Sequence, residues 1–292
     1  MFGFLNIYKP DGMTSFDVVA ALRRVTRIKQ IGHTGTLDPF AVGVLPVCIG
    51  KATKLIEYLP DDKEYIATVQ FGSDTDTYDK DGSITKIYDK KITKDELSEI
   101  LKDFEGETEQ LPPIFSAIKV NGKKLYEYAR KGEEVEIKPR KIFISAIELL
   151  SFDLKNQRVQ ILVGCSKGTY IRSIAYDIGQ KLNCGAHLTA LERTKAGMFN
   201  KSFAIKLEDI TSAEIVRKNL INPLKVLPQQ KYLLNDAEKE RIIHGMSIKN
   251  RYPDEIENGL SSIVFFVYGD KMIGVGYLEE NIIKVKKVFE VL

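Results

Sequence analysis

Apolar residues recur three or four positions apart in several stretches of the chain, which is the pattern of one buried helical face. Several stretches open with a capping signal: Thr14 with Asp17 forms an acidic variant of the capping box, and Thr93 with Glu96 forms the usual one. Gly185 follows the third stretch, where a helix would end. The pattern predicts helices that begin near Thr14, Thr93, Tyr170 and Thr211, and a short one between Asn235 and Gly245.

Runs of β-branched and aromatic residues with alternating polarity predict strands over 65–71, 142–152 and 157–163. Residues 154–157 have the composition of a hairpin turn between the last two strands. Strands and helices of this kind in one stretch of about 225 residues indicate an α+β fold. We expect a mixed, largely antiparallel central sheet flanked by helices.

The character of the chain changes near 223–230, where a proline-containing stretch precedes one short helix. Short β runs follow at 262–268, 272–277 and 282–288, separated by Gly-Asp and Glu-Glu-Asn turns. The pattern therefore predicts two domains, a catalytic domain at 1–225 and a small β-rich domain at 226–292.

Composition narrows the class of protein. Apolar residues make up 43% and charged residues 28% of the 292 residues, as in proteins with a substantial core. No apolar run reaches the roughly 18–20 residues of a membrane span, and the N-terminus lacks a secretory signal pattern, so we expect a cytoplasmic protein. The three cysteines and three histidines form no ligand set, which indicates neither a disulfide framework nor a metal site.

The net charge of +3 says little, but its distribution is uneven. Residues 119–141 carry eight basic residues against four glutamates. A stretch of this kind either binds phosphates or is a solvated loop or hairpin, and charge alone leaves both interpretations open.

The segment Gly-His-Thr-Gly-Thr-Leu-Asp-Pro at 32–39 is the most informative in the chain. Its two glycines allow unusual backbone angles and a close approach to a ligand. Asp38 precedes proline, which favours an extended conformation. By these arguments Asp38 is either a catalytic carboxylate or a turn residue that bonds its own backbone.

This segment, with GVLPVCIG and KATK after it, resembles the catalytic block of the TruB family of tRNA pseudouridine synthases. Five further blocks resemble the family in the same order and cover most of residues 1–200. They are LNIYKPDGMTS at 5–15, KEYIATVQFGSDTDTYDKDG at 63–82, LPPIFSAIKVNGKKLYEYAR at 111–130, GTYIRSIAYDIG at 168–179 and GAHLTALERTKAG at 185–197. The last 65 or so residues weakly resemble a PUA-type RNA-binding module, and an unrelated small β domain is the alternative.

The resemblance implies a pseudouridine synthase fold and an isomerisation that detaches uracil from ribose at N1 and rejoins it through C5. No cofactor or metal is needed, and the sequence contains neither GxxxxGK[ST] nor GxGxxG. Asp38 matches the family's catalytic aspartate, which acts as a nucleophile or as a base. Arg172 matches the arginine that forms an ion pair with this aspartate. Tyr65 matches the tyrosine that stacks on the flipped base. From the residues alone, Arg172 is more often a surface charge at the start of a helix, and Tyr65 is more often a strand residue that faces the core.

The same resemblance implies a set of substrate contacts. His33 would enter the T-loop and occupy the room left by the flipped nucleotide, from an exposed tip between two glycines. The 119–141 stretch would act as a thumb over the RNA. The remaining predicted contacts are Lys9, Asp76, Lys123, Lys124, Tyr170 and Leu191, the last of which is hardly separable from a core leucine.

The implied partner is the T-arm stem-loop of tRNA, with the target uridine at position 55 by resemblance alone. We expect a monomer that needs no protein partner and no membrane. Two alternatives stay open: a guide-dependent enzyme that modifies ribosomal RNA within a ribonucleoprotein, and a tRNA-binding folding chaperone.

Overall fold

The computed structural model describes residues 1–252 and 263–289. The capping signals locate three helix starts correctly, because Thr14, Thr93 and Asn235 each form a capping box. The start predicted at Thr211 is wrong by one residue, since the side chain of Ser212 provides the cap. The α-helices of the described residues are α1 (Ser15–Thr26), α2 (Lys94–Lys102), α3 (Leu125–Lys131), α4 (Ile171–Lys181), α5 (Ala213–Lys218) and α6 (Asp236–Ile243).

Strands form at all three stretches predicted in the first 225 residues, with ends that differ from the prediction by at most two residues. The strands up to that point are β1 (Gly3–Lys9), β2 (Ile31–His33), β3 (Val42–Ile49), β4 (Lys63–Phe71), β5 (Ser73–Thr75), β6 (Ile84–Ile87), β7 (Gly106–Gln110), β8 (Lys119–Val120), β9 (Lys123–Lys124), β10 (Arg140–Asp153), β11 (Arg158–Cys165), β12 (Ala186–Ala196), β13 (Phe199–Asn200) and β14 (Ile205–Lys206).

The long strands share one sheet in the order β14–β1–β3–β12–β4–β11–β10–β7, with β2 beside β3 and β13 beside β12. Only the β1–β14 and β3–β12 pairs are parallel within this described sheet. The mixed, largely antiparallel sheet of the α+β prediction is therefore confirmed. The parallel pairing of β3 with β12 places β12 between β3 and β4, and the functional site lies at this junction.

Both faces of the sheet are covered near β1 and β3, because alternate side chains on a strand point to opposite faces. Leu5 and Leu45 join the large core under α1, α2 and α4. Phe4 and Val44 point the other way, into a second core that also contains Leu55 from a 3₁₀ helix at Gly50–Tyr58. Strands buried on both faces read as nearly continuous apolar runs, as these two do.

The C-terminal part forms a separate sheet whose first strand starts a few residues after the predicted boundary. Its strands are β15 (Gln230–Leu233), β16 (Ile248–Lys249), β17 (Ile263–Tyr268), β18 (Lys271–Glu279) and β19 (Ile282–Val288), in the order β15–β17–β18–β19–β16. A small β-rich C-terminal domain is thus confirmed. The predicted strand start at Ser262 lies outside the described residues.

Residues 119–141 contain more structure than the hairpin that charge suggested. β8 and β9, each two residues long, form a short hairpin, and α3 follows it directly. Among the helices described, none is both long and apolar enough to cross a membrane.

Candidate active site

Asp38 lies on the loop between β2 and β3, and buried backbone contacts fix this loop. The hydroxyl of Ser15 accepts a hydrogen bond from Leu37 N at 2.8 Å and donates to Leu37 O at 3.2 Å. The side chain of Leu37 is buried in the large core. The Asp38 carbonyl accepts from Ala41 N at 3.1 Å, which closes a turn. The backbone therefore makes the turn, and the carboxylate is free to point elsewhere.

The carboxylate of Asp38 points to Arg172 in the first turn of α4. Arg172 Nε lies 3.0 Å from Asp38 Oδ2, and Nη2 donates to Oδ1 at 3.3 Å. The Arg172 side chain is only 6% exposed, whereas a third of the Asp38 side chain (33%) remains exposed. The structure therefore brings these two predicted residues together and leaves the carboxylate accessible. The interpretations of Arg172 as a surface charge and of Asp38 as a side-chain turn former are both wrong.

Arg172 also contacts a second carboxylate, Asp79, which sequence analysis did not select. Asp79 is buried, and its Oδ2 lies 3.3 Å from Arg172 Nη1. The carbonyls of Thr77 and Phe115 each accept from the guanidinium at 3.0 Å. Together with Asp38, these partners hold the guanidinium in place, and a planar group with five donors can satisfy them at once.

Opposing effects act on the ionisation of Asp38. Burial raises the pKa of its carboxyl group, while the neighbouring Arg172 and Lys9 lower it and Asp79 raises it again. Burial is the largest of these effects, so the pKa lies above the ordinary value for aspartate. A raised pKa of this kind is characteristic of carboxylates at functional sites.

Tyr65 lies near the start of β4, directly opposite Arg193 on β12. Its side chain is buried, with Arg193 beside it on the neighbouring strand. Burial raises the pKa of the hydroxyl, and Arg193 opposes that effect. Tyr65 therefore stays protonated near neutral pH, and the stacking role that the resemblance implies for its ring stays a prediction.

Arg193 is a second residue that sequence analysis missed, although it joins three parts of the site. Only 1% exposed, it donates to Val44 O at 2.7 Å, to Gly35 O at 3.1 Å and to Thr36 O at 3.4 Å. The two carbonyls at 35 and 36 belong to the loop that carries Asp38. The sequence could have indicated Arg193 through its position two residues after the predicted site residue Leu191. Residues two apart on a strand point to the same face of the sheet.

Lys9, at the end of β1, connects the segment that follows β1 to the loop that carries Asp38. Its ammonium group is fully buried and donates to the carbonyls of Pro10 at 2.8 Å, Met13 at 2.6 Å and Pro39 at 3.0 Å. Burial lowers the pKa of Lys9 to about 8. Its contacts are those of a residue that supports the loop rather than one that reaches solvent.

His33 does not occupy an exposed tip, because it is part of β2 and pairs with Val47. Its ring is half-buried, and burial lowers its pKa. Among the described residues, the buried Nδ1 atom has no hydrogen-bond partner. A neutral ring suits the placement role that the resemblance implies, and that role stays a prediction.

Three other predicted residues have different surroundings. Tyr170 is half-buried at the start of α4, where its backbone exchanges two hydrogen bonds with the side chain of Gln110. Leu191 is buried in the large core opposite Ala67. Asp76 is exposed and accepts a hydrogen bond from Ser83 N at 2.9 Å. In the block at 63–82, the acidic residue that contacts Arg172 is Asp79 rather than Asp76.

Lys123 and Lys124 lie on β9, in the basic insertion. The ammonium group of Lys123 lies 5.5 Å from the ring centroid of Tyr128, and that of Lys124 lies 5.3 Å from the ring of Tyr126. The nearest carboxylate to Lys123 is that of Glu133, at 3.8 Å. Two cations thus lie over aromatic rings, one of them the buried Tyr128 and the other the partly exposed Tyr126, and both cations are placed to meet phosphates.

Solved structures with the same architecture define the class of the protein. A chain of the crystal structure titled as a Cbf5-Nop10-Gar1 complex has a TM-score of 0.72 and 27% identity, over 99% of this chain and 85% of that one. A second, from an H/ACA RNP bound to a substrate RNA containing 2'-deoxyuridine, has a TM-score of 0.68 and 26% identity, over 99% and 86%. The chain therefore has the fold of a pseudouridine synthase, a class of isomerase.

Sequence comparisons then identify the family. One model, described as TruB family pseudouridylate synthase (N terminal domain), matches residues 23–171. A second, described as tRNA pseudouridylate synthase B C-terminal domain, matches 172–227. Relatives named tRNA pseudouridine synthase B are 46% identical in Clostridium perfringens and 44% identical in Clostridium acetobutylicum, over 99% of both chains in each case. The chain belongs to the TruB family.

Proposed function

We propose that this protein isomerises uridine to pseudouridine in the T-loop of tRNA, at position 55, with Asp38 as its catalytic residue and no cofactor. The observation that carries the proposal is the partly exposed carboxylate of Asp38, paired with a buried guanidinium at 3.0 Å. The names of the full-length relatives support tRNA as the substrate. The resemblance of the sequence blocks supports the T-loop position.

The reaction breaks the N1–C1′ bond, forms a C5–C1′ bond, and moves one proton from C5 to N1, so that no redox partner is required. Asp38 must be ionised whether it attacks as a nucleophile or removes a proton as a base. Arg172 favours the ionised form and holds the carboxylate in one orientation. Because Arg172 is itself fixed by Asp79, the pair is set before the RNA arrives.

The target uridine must leave the RNA stack to reach Asp38, at a cost of a few kcal/mol. Stacking of the extruded base on Tyr65 offsets this cost, since a base on an aromatic ring gains roughly 1–3 kcal/mol. In this proposal His33 occupies the space that the base leaves, while Asp76 and Tyr170 contact the RNA and Leu191 contacts the base.

The insertion at 119–141 closes over the RNA loop in the same proposal. Unpaired loops are the parts of an RNA whose bases can be splayed out and read. Lys123 and Lys124 bind phosphates, and the ring of Tyr126 beside Lys124 contacts a base. The C-terminal sheet serves as a PUA-like RNA-binding domain.

We propose a stand-alone enzyme rather than a guide-dependent one. The two solved chains come from protein complexes and are 26–27% identical, whereas the relatives named tRNA pseudouridine synthase B reach 46% over the full length. Activity on a bare RNA hairpin, without guide RNA or added protein, is the result that separates these two functions.

The test is release of tritium from C5 of the uridines in a T-arm hairpin, with no cofactor or metal added. We expect release by the wild type, none above background by Asp38→Asn, and unchanged release by Asp89→Asn, an exposed aspartate outside the site. Hairpin binding is measured in parallel and should be similar for all three. Appreciable turnover by Asp38→Asn would refute the assignment, and a wild type that binds without release would favour the guide-dependent function.

A further inference from the structure

A large cavity lies where the main sheet meets the C-terminal domain, far from Asp38. Its volume is about 770 Å³, and its walls include Phe2 and Gly50, which flank β1 and β3 at the ends away from the site. A strand rises by about 3.3 Å per residue, so the seven steps from Phe2 to Lys9 span roughly 23 Å. The cavity is therefore separate from the site around Asp38.

Positive charge dominates the rim of this cavity. Lys29, Arg217 and Lys271 line it and are exposed, and none of the three forms an ion pair with another described residue. Lys51 also lines it and donates to the carbonyl of Phe289 at 2.8 Å. Among the described lining residues, Asp270 alone is acidic. Unneutralised cations around one concave surface attract an anionic ligand.

The floor of the cavity is apolar and partly aromatic. The rings of Phe2 and Phe289 both line it and pack against each other with centroids 5.3 Å apart. Met272 and Leu220 add further apolar surface. A volume of this size is within the range that holds a small organic ligand, roughly 300–1,000 Å³. A charged rim above an aromatic floor matches a phosphate attached to a flat, apolar ring system.

We propose that this cavity binds an unpaired nucleotide of the tRNA outside the T-arm, with the phosphate at Lys29 and Lys271 and the base on the floor beside Phe2. This inference rests on the proposed function, because it requires tRNA as the substrate. A loop seated at Asp38 leaves the cavity roughly 20 Å away along the sheet. The unpaired nucleotides of an isolated T-arm hairpin are those of its loop, which is seated at Asp38, so an unpaired nucleotide in the cavity belongs to another part of the tRNA.

The test compares two RNAs, a full-length tRNA transcript and the T-arm hairpin, on the wild type and on Lys29→Ala with Lys271→Ala. For the transcript we expect roughly tenfold weaker binding by the variant, as when one charge-assisted hydrogen bond is removed. The slope of log affinity against log salt should also fall by about 0.7 for each phosphate that is no longer neutralised. Hairpin affinity and tritium release from the hairpin should not change.

The matched control is Lys102→Ala with Lys155→Ala, which removes the same charge from exposed positions elsewhere and should bind both RNAs as the wild type does. Equally weakened binding of both RNAs, or unchanged binding of the transcript, would overturn the proposal. A third outcome would also overturn it: the variant loses affinity for AMP but binds the transcript as the wild type does. The ligand of the cavity would then be a free nucleotide rather than part of the tRNA. Hairpin turnover is measured in the same samples, so a failure of the proposed function would be seen separately.

Discussion

Arg172 contacts the carboxylates of both Asp38 and Asp79, so the ionisation of Asp38 depends on residues that are distant from it in the sequence. An exposed aspartate would be ionised at any physiological pH, whereas burial raises the pKa of Asp38 above its ordinary value. Arg172 limits that rise without cancelling it. The charge of Asp38 is therefore sensitive to pH in a way that its sequence neighbours do not indicate.

We expect the single-turnover rate to fall on acidification, with a midpoint above the ordinary pKa of aspartate. The sign follows from the active form: the ionised carboxylate reacts, so activity is present above the raised pKa and disappears as the pH falls through it. The measurement is tritium release over the acidic to neutral pH range, with circular dichroism to show that the fold persists. A rate that stays flat down to the ordinary value for aspartate would contradict the pKa direction.

Arg193 gives a prediction about positioning rather than chemistry, because it donates to the carbonyls of Gly35 and Thr36 in the loop that carries Asp38 and lies opposite Tyr65. An ammonium group cannot reproduce the fork of a guanidinium, so Arg193→Lys should displace the loop. We expect kcat about 100-fold lower, the size of effect that an ångström of misplacement causes, with little change in KM.

The control for this variant is Arg158→Lys, an exposed arginine on β11 whose Nε donates to the Gln70 side chain at 3.2 Å. It should retain wild-type kinetics on the hairpin. If Arg193→Lys instead raised KM and left kcat unchanged, Arg193 would contribute to RNA binding rather than to the position of the loop.

At the scale of elements, the basic insertion consists of β8, β9 and α3 rather than a bare hairpin. Its side chains are not all available to RNA: Tyr128 is buried and donates to the carbonyl of Val120 at 3.1 Å. Lys123 and Lys124 remain at the surface, each over an aromatic ring. The insertion is thus a small folded unit that presents two cations.

Lys123→Ala with Lys124→Ala should weaken hairpin binding and flatten its dependence on salt. For single-stranded RNA, each phosphate that a lysine no longer neutralises lowers the log–log slope by about 0.7. The measurement is the hairpin dissociation constant across a series of salt concentrations, with Lys102→Ala and Lys155→Ala as the charge-matched control. An unchanged slope would mean that the insertion is a solvated surface element.

At the scale of the whole molecule, the two sheets share a hydrophobic core. Phe4 and Val44 from the main sheet pack with Phe265 and Val275 from the C-terminal sheet. The ring of Tyr58 meets that of Phe265 edge to face, with centroids 5.7 Å apart. Domains joined in this way should unfold together rather than one after the other.

Phe265→Ala should therefore destabilise the whole chain by about 3–5 kcal/mol, the usual cost of such a cavity. Urea unfolding, followed by tyrosine fluorescence and circular dichroism, should show one transition at a lower midpoint. Phe203→Ala, at a phenylalanine 83% exposed, is the control and should change the free energy of unfolding by less than about 0.5 kcal/mol. Two separate transitions would show that the domains fold independently.

The sequence by itself determined the elements and the class. Capping boxes locate α1, α2 and α6, since a cap depends only on residues a few positions apart. Alternation locates β4, β10 and β11 for the same local reason, whereas β1, β3 and β12 were not predicted from the sequence. The blocks around Asp38, Tyr65 and Arg172 indicated the family, which the matches to two family models confirm.

The tertiary structure alone decided which groups surround those residues. Asp79 and Arg193 are ordinary charged residues in sequence, and they become part of the site because the fold places them beside Arg172 and Tyr65. The same holds for His33, which is half-buried by its pairing within the sheet. Burial, ion pairing and cavities depend on contacts between segments far apart in the chain, so the local sequence pattern does not predict them.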